Sequence, residues 1–282
     1  MEMVKKKQTK SPGARWADGA IQGGLKARLD AIYSQYNKRC YVDPDPLAFL
    51  YKYSRARDRE IAGLIAASLA YGRVEMIMAV VETVLGPMGQ SPREWLLSRS
   101  EDELASVFKG FKYRFAREDH LAALLTGMRR VILDQGSMEN CFIQGLGDKK
   151  SIMDGLLSLY KGINAHGECG HLLADPSKSS ACKRSHLFLR WMVRKDAVDP
   201  GGWDGVDPSL LVVPLDTHMF KVGRFLGFTQ KKSAGRSAAV DITDGFAGIL
   251  PSDPVKYDFA LTRFGIRRNM DMDGLKDYLS GE

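Results

Sequence analysis

Apolar positions recur at three-and-four spacing along nearly the whole chain, the period of a helix that buries one side. The clearest run lies between Arg57 and Leu85. There Ile61, Leu64, Ile65, Ser68 and Leu69, then Val74, Ile77, Met78, Val81, Val84 and Leu85, keep the period on both sides of Tyr71-Gly72-Arg73. The pattern predicts two helices broken by a short turn. Further helices are expected over residues 25–36, 91–98, 117–135, 149–163, 182–195, 216–227, 236–249 and 254–265. Pro44, Pro46, Pro87, Pro92, Pro176, Pro200, Pro208, Pro251 and Pro254 mostly fall between these patterns, as residues that interrupt a helix should. Leu210 to Val213 is the best strand candidate and is too short to found a sheet. The fold class expected is therefore all-α. Residues 195–209, with Pro200-Gly201-Gly202 and Asp207-Pro208, form the longest expected loop, and loops of that length in a compact fold are often functional.

Within this pattern one stretch combines a helix start with chemistry. Residues 212–228 bring a hydrophobic approach, Val212-Val213-Pro214-Leu215, to Asp216-Thr217 and then to a stripe of Phe220, Val222, Phe225, Leu226 and Phe228, with Lys221 and Arg224 left polar. Asp is favoured where a helix begins because its oxygen accepts from a backbone N–H that has no partner in the helix. Asp216 is thus a carboxylate held at the positive end of a helix, and capping alone would explain it.

Composition narrows the classes. A chain of 282 residues, 44% hydrophobic, can bury a large core as one unit or two lobes. No apolar run reaches the length of a membrane helix, and Met-Glu-Met-Val-Lys-Lys-Lys lacks the core of a secretory signal, so a soluble, cytoplasmic protein is expected. Cys40, Cys141, Cys169 and Cys182 lie far apart and are expected as reduced thiols. Cys169, His171, Cys182 and His186 match no strong zinc spacing, so no metal is expected.

The charge is uneven. Of the net +7, Lys5, Lys6, Lys7, Lys10 and Arg15 against Glu2 place +4 in the first 15 residues, which predicts a basic disordered arm over residues 1–20 ahead of a single helical unit over 21–282. Residues 178–195 hold Lys178, Lys183, Arg184, Arg190, Arg194 and Lys195 with no acid. Residues 217–240 hold Lys221, Arg224, Lys231, Lys232 and Arg236, again with none. Two such segments flanking Asp216 suit a phosphate backbone, or are two ordinary solvated faces.

Pro214-Leu215-Asp216-Thr217-His218-Met219-Phe220-Lys221-Val222 resembles the helix-hairpin-helix DNA glycosylases of the endonuclease III and 8-oxoguanine glycosylase superfamily, in which a Val-Asp-Thr-His segment carries the catalytic aspartate. Glu60 to Ile77 is similar to the early helix pair of that fold, and Pro251 to Leu261 to its closing helix. Over most of the chain, Arg57 to Ile61, Ala70 to Val74, Ala181 to Arg184, Leu189 to Asp196 and Pro214 to His218 resemble the uncharacterised bacterial DUF2400 family. That closer likeness supplies relatives and no activity.

The superfamily resemblance implies a two-lobed helix-hairpin-helix glycosylase-like fold with its site between residues 177 and 228. It implies base excision from duplex DNA, an oxidised purine being favoured, by a monomer without cofactor or membrane. Lys183 matches the lysine that attacks the sugar in bifunctional members, and Asp216 the carboxylate that assists. An amine attacks only when unprotonated, and Arg184 with the surrounding positive field favours that form. Lys183 is otherwise a phosphate contact or a solvated lysine. The usual apolar-Pro-Gly-apolar-Gly hairpin is replaced by Asp175-Pro176-Ser177-Lys178-Ser179-Ser180-Ala181-Cys182. The long interval from Lys183 to Asp216 resembles the archaeal 8-oxoguanine glycosylase branch.

No cysteine follows Cys182, so no iron–sulfur cluster is expected. Tyr71 and Arg73 stand where glycosylases fill the gap left by an extruded base, or else pack as core and surface residues of a turn. Trp203, in the Gly-rich loop, is expected to be open to a ligand. Lys178, Arg184, His218, Lys221 and Arg224 complete the expected nucleic-acid contacts. The alternatives are a silent nucleic-acid-binding protein on the same fold and an enzyme acting on a nucleotide or modified RNA.

Overall fold

The computed structural model describes residues 19–148, 151–267 and 270–280. The basic residues 1–18 of the expected arm lie outside the described residues. Thirteen α-helices occur among those described: α1 (Gly19–Tyr36), α2 (Ala56–Leu69), α3 (Val74–Leu85), α4 (Pro92–Leu97), α5 (Glu101–Val107), α6 (Glu118–Gln135), α7 (Met138–Leu146), α8 (Ile152–Asn164), α9 (Lys183–Val193), α10 (Thr217–Phe225), α11 (Arg236–Ala247), α12 (Asp258–Ile266) and α13 (Met272–Ser280). A two-stranded antiparallel hairpin, β1 (Lys112–Tyr113) and β2 (Ala116–Arg117), pairs Lys112 with Arg117 and Tyr113 with Ala116. The all-α class follows from the sequence period.

Side-chain caps set many of the helix starts. Ser91, Ser137 and Ser151 accept from backbone N–H groups at the heads of α4, α7 and α8, and Ser100 with Glu103 forms a capping box on α5. Burial then sorts the helices. From Glu60 to Leu69 every residue of α2 is buried, so this helix is the central strut. It packs on α9, α3 and α4, while α6, α7 and α8 form a consecutive group beside it. At the other end of the molecule α12 packs on α10 and α1, and α13 on α1 and α12. At the α10–α12 crossing a Cβ on Gly265 would lie 2.0 Å from His218 Nδ1, so only glycine permits the approach. One contiguous apolar core runs through all of these helices.

Several expectations change. Leu210 to Val213 is not a strand: residues 208–210 form a 3-10 turn, and the chain beyond runs extended, with the Val213 N–H donating to Thr243 Oγ1 at 3.1 Å. The short helices α5, α7 and α13 and the hairpin at residues 112–117 escape the periodicity. The long loop is pinned rather than open. The N–H groups of Gly201 and Trp203 donate to the carbonyls of Trp191 and Met192 at 3.0 and 2.8 Å. No helix among the described residues is long and apolar enough to cross a membrane.

Candidate active site

Lys183 is the first residue of α9, the end of a helix where the macrodipole disfavours a cation. It follows Cys182, whose φ of 45° lies in the left-handed region usually left to glycine. Before it the chain closes without hairpin glycines. Asp175 Oδ1 accepts from the Ser177 N–H at 2.8 Å and from its hydroxyl at 2.7 Å, and the Cys182 N–H donates to Ser180 Oγ at 3.2 Å. Arg236 braces this loop from α11, its guanidinium donating to the Pro176 carbonyl and its N–H to that of Ser179.

Asp216 caps α10 as its sequence context implies. Oδ1 accepts from the N–H groups of His218 at 2.9 Å and Met219 at 2.8 Å. Its other oxygen, Oδ2, lies 3.6 Å from Lys183 Nζ. One carboxylate thus fixes a helix start with one oxygen and faces an amine with the other. The lysine side chain is 41% exposed and the aspartate 14%, so the pair is partly solvated, and pairs of that kind contribute little to stability. Fold stability alone does not explain their meeting.

The pair sits on the wall of a cleft of about 170 Å³ between α3, α9 and α12. Ala70, Val74, Ile77, Leu187 and Pro214 supply apolar wall, and Asp45, Arg190, Asp258, Thr262 and Arg263 bring polar groups. Behind it lies a buried ion network. Arg190 Nε donates to Asp199 Oδ1 at 3.2 Å and its Nη1 to Asp258 Oδ2, while Arg194 donates to Asp199 and, at 3.0 Å, to Asp253. Asp196 accepts from the N–H groups of Val198 and Asp199 at 2.7 and 2.8 Å and from the Tyr33 hydroxyl at 2.9 Å. Burial raises the Asp258 carboxyl to about 6; Arg190 opposes the rise and Asp216 adds to it.

This network corrects the charge map. Arg190 and Arg194 are 3% and 5% exposed, so two cations of the first acid-free segment balance internal carboxylates and add nothing to the surface. Arg184 is also engaged: its guanidinium donates to the Ser68 and His171 carbonyls and lies 4.9 Å from the Tyr71 ring centroid. Lys178, Lys195, Lys221, Arg224, Lys231 and Lys232 remain on the exterior.

The other expected contacts divide. Tyr71 is half-buried; its hydroxyl donates to the Tyr113 carbonyl at 3.1 Å and the Tyr113 hydroxyl returns a bond to the Tyr71 carbonyl. It therefore locks the hairpin onto the α2–α3 turn. Arg73 is exposed. The exposed aromatic at this corner is Phe115, 63% exposed at the hairpin tip beside left-handed Arg114, with its ring 5.1 Å from that of His171. Strands of two residues carry no periodicity, so the sequence does not mark this hairpin. His218 is half-buried against Gly265 rather than projecting outward.

Trp203 requires correction. It is wholly buried, packs against Phe142 and Phe188, and donates from Nε1 to Glu60 Oε2 at 2.9 Å. A loop tryptophan is core here because the loop folds back onto α2. Asp258 was missed, although its place at the head of the closing helix was a signal. The four cysteines form no disulfide, and no His, Cys, Asp and Glu cluster able to hold a metal occurs among the described residues. No curated protein and no solved structure matches the chain. A family model does match, over residues 45–267, a span that holds both Lys183 and Asp216 and all of the cleft lining except Pro44. The chain belongs to the DUF2400 family, described as a protein of unknown function.

Proposed function

We propose that this protein is a DNA glycosylase with abasic-site lyase activity, in which a damaged base enters the cleft and Lys183 and Asp216 act on its sugar. The observation that carries the proposal is Lys183 Nζ at 3.6 Å from Asp216 Oδ2 on the cleft wall, each held by the first turn of its own helix. On this reading α2 to α8 and the group of α1 with α10 to α13 act as two lobes about the cleft. The resemblance of Pro214 to Val222 to the helix-hairpin-helix glycosylases supports it, as does the helix start at Lys183.

The chemistry is sugar displacement. The C1′–N bond to the base breaks and its electron pair leaves with the base. Asp216, as the carboxylate, opposes the positive charge that grows on the sugar. Lys183, as the free amine, bonds to C1′ and loses a proton to solvent, and the imine formed on ring opening permits β-elimination of the 3′ phosphate. Lys178, Lys221, Arg224 and Arg73 meet phosphates, and Phe115 and Arg114 abut the opened base stack.

Borohydride trapping tests this directly. Duplex DNA carrying 8-oxoguanine, uracil or a pre-formed abasic site is expected to give a covalent adduct that Lys183→Ala abolishes and Asp216→Asn slows by about 10²-fold or more. An adduct retained in Lys183→Ala assigns the nucleophile elsewhere. Salt-sensitive binding with neither adduct nor base release would leave a nucleic-acid-binding protein.

A further inference from the structure

A base that leaves with an electron pair needs a proton as the bond breaks; Asp216 is a carboxylate in that scheme, and Lys183 has a proton to shed only after its nitrogen has bonded to C1′. Two more carboxyls line the cleft, Asp45 and Asp258, and Asp45 has a partner on each oxygen, the Leu47 N–H at 3.0 Å and Arg263 at 3.1 Å. Asp258, at the head of α12, is 3% exposed and shares the cavity with both residues. Its two oxygens differ. Oδ2 accepts from Arg190, while Oδ1 is buried with no hydrogen-bond partner. An unpartnered buried oxygen is costly unless something else satisfies it. The other side chains of the network are saturated by comparison: Asp199 meets two arginines, and Asp196 meets a hydroxyl and two backbone N–H groups.

Resting on the glycosylase reading, we propose that Asp258 is a further catalytic residue, the general acid that hydrogen-bonds the extruded base through Oδ1 and protonates it as the glycosidic bond breaks.

Several charges face this carboxyl. Arg190 from α9 and Asp199 from the following loop lie behind it, Asp216 lies across the cleft, and Lys183, Asp45 and Arg263 complete the walls. Burial raises both Asp199 and Asp258, but Asp199 meets two arginines and Asp258 only one of them, so Asp258 holds a proton the more readily. Desolvation and Asp216 raise Asp258 to about 6, within reach of physiological pH. With Oδ2 accepting from Arg190, the proton belongs on Oδ1. In the step, that proton passes to a ring nitrogen or carbonyl oxygen of the base as the C1′–N electron pair moves onto it. Asp258 is left as a carboxylate facing Arg190. Departure of the neutral base lets solvent return the proton.

The test compares two reactions of the same protein. Removal of 8-oxoguanine, uracil or hypoxanthine from a duplex needs a base proton; β-elimination at a pre-formed abasic site does not. In single-turnover assays, Asp258→Asn is expected to slow base release about 10²-fold or more while leaving borohydride trapping at the abasic site within a factor of two or three of wild type. Relative to trapping at the abasic site, which shares the Lys183 step, wild-type release is expected to lose rate as pH rises through about 6, and this descending limb should vanish in the variant. A variant as fast as wild type, or one that loses both reactions equally, overturns the assignment. Should Asp258→Asn not fold, the wild-type profile decides, and a rate of release relative to trapping that is flat from about pH 5 to 8 refutes a titrating acid. Wild type that traps at the abasic site yet releases none of the three bases also overturns it, with the lyase reading left standing. Wild type that does neither removes both.

Discussion

At the scale of single residues, the two oxygens of Asp216 separate structure from chemistry. Oδ1 holds the head of α10 and Oδ2 faces Lys183, so substitutions can remove one role at a time. Asn caps nearly as well as Asp but carries no charge. Asp216→Asn is expected to keep its urea midpoint close to that of wild type and, on the proposed glycosylase reading, to slow base release and trapping by about 10²-fold or more. Asp216→Ala loses both roles, with a stability cost of about 1 kcal/mol. If Asn costs as much stability as Ala, the cap depends on the charge itself, and the separation fails.

Among elements, the decisive one is the loop between α9 and α10. Its position comes from a polar latch: Glu60 accepts from Trp203 Nε1 at 2.9 Å, Glu139 Oε1 from the Gly205 N–H at 3.0 Å, and Arg57 bridges the two carboxylates. Glu60 is wholly buried, which pushes its carboxyl up, and Trp203 is among the few donors it meets. Trp203→Phe keeps most of the ring and removes the donor. The expected loss is about 1–3 kcal/mol in urea unfolding, larger than an exposed loop tryptophan would give. A midpoint unchanged by the substitution would mean that the latch carries no weight. Because the same loop supplies Asp199 to Arg190 and Arg194, slack in it reaches the wall of the cleft.

For the whole molecule, buried titrating groups link stability to pH in opposing directions. His186 is 3% exposed, and burial followed by Arg236 lowers it from 6.5 to about 4. The unfolded imidazole takes a proton below 6.5 and the folded one only near 4, so its contribution is full above 6.5 and is lost as pH falls between those values. At about 1.4 kcal/mol per unit the loss is roughly 3 kcal/mol. Asp258 runs the other way, since a carboxyl raised from 3.8 to about 6 costs stability as pH rises through that interval. Urea midpoints between pH 4 and 7 are expected to fall less steeply toward acid in His186→Phe than in wild type. Equal slopes would show that His186 titrates normally in the fold.

The sequence by itself determined what local periodicity and end chemistry can carry. The apolar spacing from Arg57 to Leu85 yields α2 and α3 with the break at Tyr71-Gly72-Arg73, and the Asp-Thr start yields the cap at Asp216. These follow because helix phase and capping depend on residues within a turn of each other. Ser100 with Glu103 is the same kind of local start signal for α5, a helix absent from the expected ones because it is too short for the period, whereas the two-residue strands have no period to detect. Only the tertiary structure decided which charges face water. Arg190 and Arg194 sit in a run of cations like any basic surface, and long-range packing turns them inward to Asp199, Asp253 and Asp258. It likewise buried Trp203 and brought Lys183, Asp216 and Asp258 from three separate helix starts to one cleft. No spacing along the chain encodes that meeting, because it depends on how whole helices cross, and those crossings are set by close contacts such as His218 against Gly265.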